Sequence, residues 1–255
     1  MSEPTSDLLR EGPKQFLNHV MKRDEEREHD MRNLFRRELA LVDGVLELQL
    51  QGFQTFVEDD TGATFSIPVQ QLLTRLFNHQ LAARKLLLMG YITEAASVLA
   101  RALETSWLAR YFDCYPDEID KWWNKTSERG QLSPKQLRQG LKQAHKEGKT
   151  RIGRINDENT LYQELCEIGH PNFYGSIWHM YVRGESPPQL EFLLGGYGSS
   201  KRPESLKRVF QCLLNIQMLS LLTMADVSAG FLEKNAAWDA EACSLMKSLA
   251  EWINA

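Results

Sequence analysis

Apolar residues recur at three- and four-residue spacing through most of this chain, and that period calls for helices rather than strands. Over Lys14–Gln51 the apolar positions are Phe16, Leu17, Val20, Met21, Met31, Leu34, Phe35, Leu39, Val42 and Leu46, which predicts one long helix entered after Pro13. Inside it, Lys22-Arg23-Asp24-Glu25-Glu26-Arg27-Glu28 sets opposite charges a turn apart, the pattern of a solvated stretch with local ion pairs. A helix of that kind projects or bridges, as an arm or an oligomer contact.

The period breaks at Gly52–Pro68. Thr55–Phe65 reads either as a small hairpin around Asp60-Thr61-Gly62 or as an ordered loop. Pro68 opens the next helix, with Val69, Leu72, Leu73, Leu76 and Phe77 on its buried face and a stop near Gly90. A further helix over Thr93–Phe112 carries Ala95, Ala96, Leu99, Ala102, Leu103 and Trp107 on one side. The short turn between the two predicts an antiparallel helical hairpin. A short aromatic helix (Asp117–Asn124), a basic helix after the Ser133-Pro134 cap (Lys135–Glu147) and a helix capped by Asn156 or Asp157 (Glu158–Ile168) follow. Gln189–Leu194 reads as an isolated strand or extended loop. Two last helices cover Pro203–Glu233 and Trp238–Ile253. The expected fold is all-α: a multi-helix bundle of seven or eight helices, a long N-terminal helical arm and at most one short β-hairpin. Residues 1–67 form the arm and an irregular connector, and residues 68–255 form the bundle domain.

Composition narrows the class. With 42% hydrophobic and 25% charged residues, the chain is too apolar for a solvated coil, and 255 residues suffice for a sizeable core. Cys114, Cys166, Cys212 and Cys243 form no C-x-x-C and read as reduced, mostly buried thiols. The polar N-terminus lacks a basic stretch followed by an apolar one, so a cytoplasmic location is expected. Val209–Ala225 is free of charge, but Gln211, Asn215, Gln217, Ser220 and Thr223 within it favour a buried core helix over a membrane span.

Motif chemistry is sparse. Gly195-Gly196-Tyr197-Gly198-Ser199-Ser200-Lys201 lacks the spacing of a phosphate loop, and no H-E-x-x-H, G-x-S-x-G or G-x-G-x-x-G is present. Cys166, His170 and His179 have mixed spacing and do not add up to a metal site. Nothing in the residues asks for a cofactor. Two sets stand out. Lys135, Arg138, Lys142, Lys146, Lys149, Arg151 and Arg154 face a single acid, Glu147. That is a net +6 in twenty residues, and it leaves −10 on the rest of a chain whose total is −4. Such a segment is either a solvated helix face or a patch that attracts nucleic acid, a nucleotide or an acidic partner. Arg138, Lys142 and His145 or Lys146 share a face by helical spacing. The second set is Glu94, Arg101 and Glu104 on one helix with Tyr162 and His170 on another. It reads as a structural polar network or as an acid–base site in which His170, Arg101 and Glu104 are the candidate catalytic residues.

The stretch Met89–Glu104, with its Gly, Ala pair, Arg and Glu on one helix, is followed by Tyr162, Leu165, His170 and Pro171. This pattern resembles bacterial helical proteins related to the HEPN superfamily of nucleotide- and RNA-associated helical domains. The resemblance spans roughly Val69–Glu233. Ribonuclease members of that superfamily carry Arg, four to six residues, then His. Here the corresponding positions are Gln163, Glu164 and Leu165, so the arginine that stabilises phosphate charge is missing from its usual place. The resemblance implies an interaction or regulatory subunit of a bacterial stress or phage-defence assembly. Its alternative is a metal-independent endoribonuclease or an RNA- or nucleotide-binding protein. The partners expected are a protein or a second copy held through the N-terminal helix, and RNA or DNA.

Overall fold

A computed structural model describes residues 13–58, 67–123, 132–169, 180–183, 189–192, 203–227 and 235–253. Its helices are α1 (Pro13–Leu34), α2 (Arg36–Glu58), α3 (Ile67–Leu88), α4 (Ile92–Cys114), α5 (Asp117–Trp123), α6 (Pro134–Lys146), α7 (Ile155–Gly169), α8 (Pro203–Val227) and α9 (Ala236–Ile253). Two four-residue strands, β1 (Met180–Arg183) and β2 (Gln189–Phe192), pair antiparallel with Met180 opposite Phe192. The chain is an all-α multi-helix bundle.

Helix α4 is the centre. It packs against α3, α6, α7 and α8, and its Ile92, Ala95, Ala96, Leu99, Ala102, Leu103, Trp107, Ala109 and Phe112 are all buried. The alanines explain how one helix accepts so many neighbours, because small side chains let the packed helices come close. The α3–α4 hairpin turns at Gly90. There Tyr91 N–H bonds Leu86 O at 2.8 Å and Gly90 N–H bonds Leu87 O at 3.0 Å, with Gly90 at φ +79°. That pairing closes the end of α3 and requires a left-handed residue, which glycine adopts without strain. Helix α6 ends the same way at Gly148. It begins on a capping box, in which Ser133 Oγ accepts from Gln136 N–H while the Gln136 side chain accepts from Ser133 N–H.

Several expectations are corrected. The single helix expected over Lys14–Gln51 is interrupted at Phe35, although Phe35 N–H still bonds Met31 O at 2.9 Å. The Phe35 ring stacks on Phe210 at 4.5 Å, which fixes that position to α8. Thr55–Glu58 belong to α2, so the first arm of the expected hairpin is helical; residues 59–66 lie outside the described residues. Within Gln189–Leu194, expected as an isolated strand or an extended loop, Gln189–Phe192 form β2 and pair with β1. Helix α7 starts at Ile155, so Asn156 and Asp157 sit within its first turn rather than capping it. Of the four thiols only Cys212 is buried, and Cys243 is exposed. Met31, Phe35, Leu39, Val42, Val45, Leu46 and Leu48 of α1 and α2 are buried in one cluster with residues of α3 and α4.

Helix α8 is, among the described residues, the one helix long and apolar enough to cross a membrane, and 67% of its apolar window is buried. Its buried polar side chains reach partners, although Gln217 Oε1 has none among the described residues. Ser220 accepts from both Gln49 (2.8 Å) and Gln80 (3.1 Å), Thr223 shares a hydrogen bond with Ser106 (2.8 Å), and Gln217 donates to Val42 O (3.1 Å). These bonds tie α2, α3, α4 and α8 together, as expected of a core helix in a bundle.

Candidate functional site

Leu137, Leu141 and Ala144 bury one face of α6 against the bundle. At 100° per residue, Lys135, Lys142 and Lys146 fall on the opposite side, and all three are exposed. They span twelve residues, about 16 Å of helix. No acid stands among them, and among the described residues none of the three has an ion-pair partner.

The other basic residues of the segment are engaged. Lys149 pairs with Glu147 at 2.9 Å and lies 4.5 Å from the Tyr115 ring. Arg154 pairs with Asp157 at 3.1 Å, and Arg151 reaches Asp226 at 3.5 Å and Ala225 O at 3.2 Å. Both arginines nevertheless remain 66% exposed. Arg138 leaves the face it was expected to share with Lys142. Its guanidinium lies over Trp107 (5.1 Å) and Tyr162 (5.6 Å), with one Nη1 buried and unpartnered. His145 turns to Thr150 O through Nδ1 at 3.1 Å.

Arg138 thereby connects the basic helix to the second set. Tyr162 O–H donates to Glu104 Oε1 at 2.6 Å, and Arg101 Nη1 donates to Glu104 Oε2 at 2.6 Å. Burial first and the Glu104 carboxylate second push the Tyr162 hydroxyl well above its ordinary range, so it stays a donor. Burial also raises the nearby Cys166 thiol. Each Glu104 oxygen thus accepts one of these two hydrogen bonds. Arg101 is 69% exposed and Glu104 only 18%, so the stripe is half outside the bundle rather than sealed in it. Glu94 is exposed and accepts from Thr93 Oγ1 at 2.9 Å. The structure thus brings Arg101, Glu104 and Tyr162 together. His170, and with it the expected catalytic group of His170, Arg101 and Glu104, lies outside the described residues, as does His179. Among the described residues, no group of three or more His, Cys, Asp or Glu side chains is arranged to hold a metal ion.

Two features escaped the sequence reading. His79 on α3 lies within the electrostatic reach of Arg75, Arg101 and Glu104. Burial first, then the two arginines, hold its imidazole below its ordinary value, and its Nδ1 is buried without a partner. Deeper in, Arg110 and Glu158 form a buried ion pair at 3.0 Å, with side-chain exposures of 0% and 6%. Trp107 Nε1 donates to the same carboxylate at 2.5 Å, and Arg110 Nη2 donates to Ile152 O at 3.2 Å. The i, i+3 spacing of Trp107 and Arg110 on an alanine-rich helix was the available signal for one half of this pair.

At the far end of α4, burial and the neighbouring Asp226 raise the Asp113 carboxyl to about 6. Asp226 itself accepts from Thr150 Oγ1 and from Arg151 N–H. A raised acid pKa means the folded chain holds more protons than the unfolded one between about pH 4 and 6, so stability falls as pH rises through that window. Asp113→Asn is expected to stabilise the protein by about 1 kcal/mol at pH 7, after allowance for solvent screening, and to matter much less at pH 4.5. Chemical denaturation at the two pH values measures it.

Comparison with protein-family models, curated proteins and solved structures finds no match to this chain.

Proposed function

We propose that this protein binds the phosphate backbone of nucleic acid, RNA or DNA, through the exposed face of α6. The observation that supports this reading is the row Lys135, Lys142 and Lys146, three cations on one helix face with no acid between them and with the adjacent Glu147 paired to Lys149. Lys149, Arg151 and Arg154 flank it, exposed but already paired. Lysines on a regular helix face contact phosphates and carry little sequence information, so the binding is backbone-directed. The Tyr162–Glu104 hydrogen bond pins α7 to α4 beside this face, and cleavage is not part of the proposal. Fluorescence anisotropy with a labelled RNA oligonucleotide tests it. The triple variant Lys135→Glu, Lys142→Glu, Lys146→Glu is expected to weaken binding at least a hundredfold while keeping the helical circular dichroism spectrum. Unchanged affinity would remove the proposal.

A second reading, association with a second copy through α1, has its own observation. Leu17 and Met21 are 60% and 64% exposed, one turn apart. An antiparallel pair of α1 helices centred on Met21 sets the two methionines together and each Lys14 opposite Glu28 of the other copy. Light scattering after size exclusion is expected to give a dimer that Leu17→Glu with Met21→Glu returns to a monomer; a concentration-independent monomer would contradict it.

A further inference from the structure

A cleft of about 290 Å³ opens between α3, α4, α5 and the start of α6. Leu72, Leu108, Trp122 and Leu137 form apolar walls, and Arg75 and Arg101 contribute positive charge. Its size is at the small end of the range for small-molecule sites. The two arginines are under-used. Among the described residues Arg75 has no ion-pair partner, and Arg101 offers a single Nη1 to Glu104. The carboxylate that could balance them is already shared between Arg101 and Tyr162. Pro134 and Leu137 bring the N-terminal end of α6 to the same cleft, and that helix has no acid in its first turn. The positive end of its dipole adds to the field of the arginines.

We infer that this cleft binds a phosphomonoester of a small apolar or aromatic molecule, its phosphate on Arg75 and Arg101 and its body against Trp122 and the leucines. A guanidinium with spare N–H groups suits a phosphate better than a lysine does, because it can give two parallel hydrogen bonds. Apolar walls with few convergent polar groups are what such a ligand needs. The neighbouring His79, held below its ordinary value by burial first and by the two arginines next, supplies an internal reporter: an anion seated between them offsets their charge and raises its pKa.

The cleft shares no lining residue with the lysine face, and Lys142 and Lys146 lie two to three turns along α6 from Pro134 at its edge, so the two proposals fail separately. The test is calorimetric titration of the full chain with phenyl phosphate, with inorganic phosphate and with phenol. Phenyl phosphate is expected to bind at least tenfold tighter than either fragment. Arg75→Gln and Arg101→Gln, both at exposed positions, are each expected to weaken it at least tenfold, while Lys142→Glu with Lys146→Glu, away from the cleft, leaves its binding unchanged. In an NMR titration His79 is expected to move to higher pKa on saturation with phenyl phosphate. Equal binding of phenol and phenyl phosphate, no difference between phenyl phosphate and inorganic phosphate, or affinity unmoved by both arginine variants would overturn the inference.

Discussion

Glu158→Ala is expected to be the most damaging single substitution among those considered, lowering stability by about 3–5 kcal/mol. The carboxylate accepts from Trp107 Nε1 and faces both oxygens to Arg110 Nη1 at 3.0 Å, all inside the α4–α7 contact. Removing it strands a fully buried guanidinium whose Nε already lacks a partner among the described residues. For a domain of this size that loss corresponds to a fall in Tm of about 6–20 °C. Glu158→Gln keeps an acceptor for Trp107 but leaves the Arg110 charge without a counter-ion, so most of the loss is expected to remain. Arg110→Met combined with Glu158→Leu is expected to recover much of it, because a buried pair costs desolvation at both ends and its removal as a unit is far milder than its halving. A Glu158→Ala protein that melts within a degree of the parent would show that the pair does not hold these helices.

Gly169→Ala is the second large effect. A Cβ at that position would meet the Ser97 hydroxyl and stand 2.9 Å from the Ser97 backbone nitrogen, closer than real Cβ contacts come, and 3.1 Å from its Cα. The obstacle is backbone, so no side-chain rotation relieves it. The end of α7 must move off α4, which also strains the bond from Ser97 Oγ to Gly169 O at 3.1 Å. Overpacking of this kind costs about 1–3 kcal/mol. Gly169→Ala should therefore show a lower denaturation midpoint, and adding Ser97→Gly should restore only part of it, because the backbone contact remains. A neutral Gly169→Ala would mean that the two helices are not in close approach there.

Much of the bundle was legible because its information is local. Ala95, Ala96, Leu99, Ala102 and Leu103 declare a helix and its buried side by spacing alone, and Gly90 and Ser133-Pro134 mark ends that the backbone bonds then bear out. The same local reasoning went astray at Thr55–Val57, where β-branched and aromatic residues suggested a strand but the chain continues α2. Arg101, Glu104 and Tyr162 were found because two of them lie three apart on one helix. Arg110 and Glu158 were missed because 48 residues separate them, and nothing in either neighbourhood names the other. Arg138 shows the limit of helical spacing. It is one turn from Lys142, yet its position on the flank of α6 lets it fold back over Trp107 and Tyr162 while Lys142 faces outward.

The salt dependence of RNA binding tests the central claim most directly. Three lysines that displace counterions from phosphates predict that log affinity falls with log salt at a slope of about −3 for a duplex and somewhat shallower for a single strand. The triple glutamate variant is expected to lose both the affinity and most of that slope. Wild-type binding indifferent to salt, or a slope preserved in the variant, would place the interaction elsewhere and contradict the role given to α6.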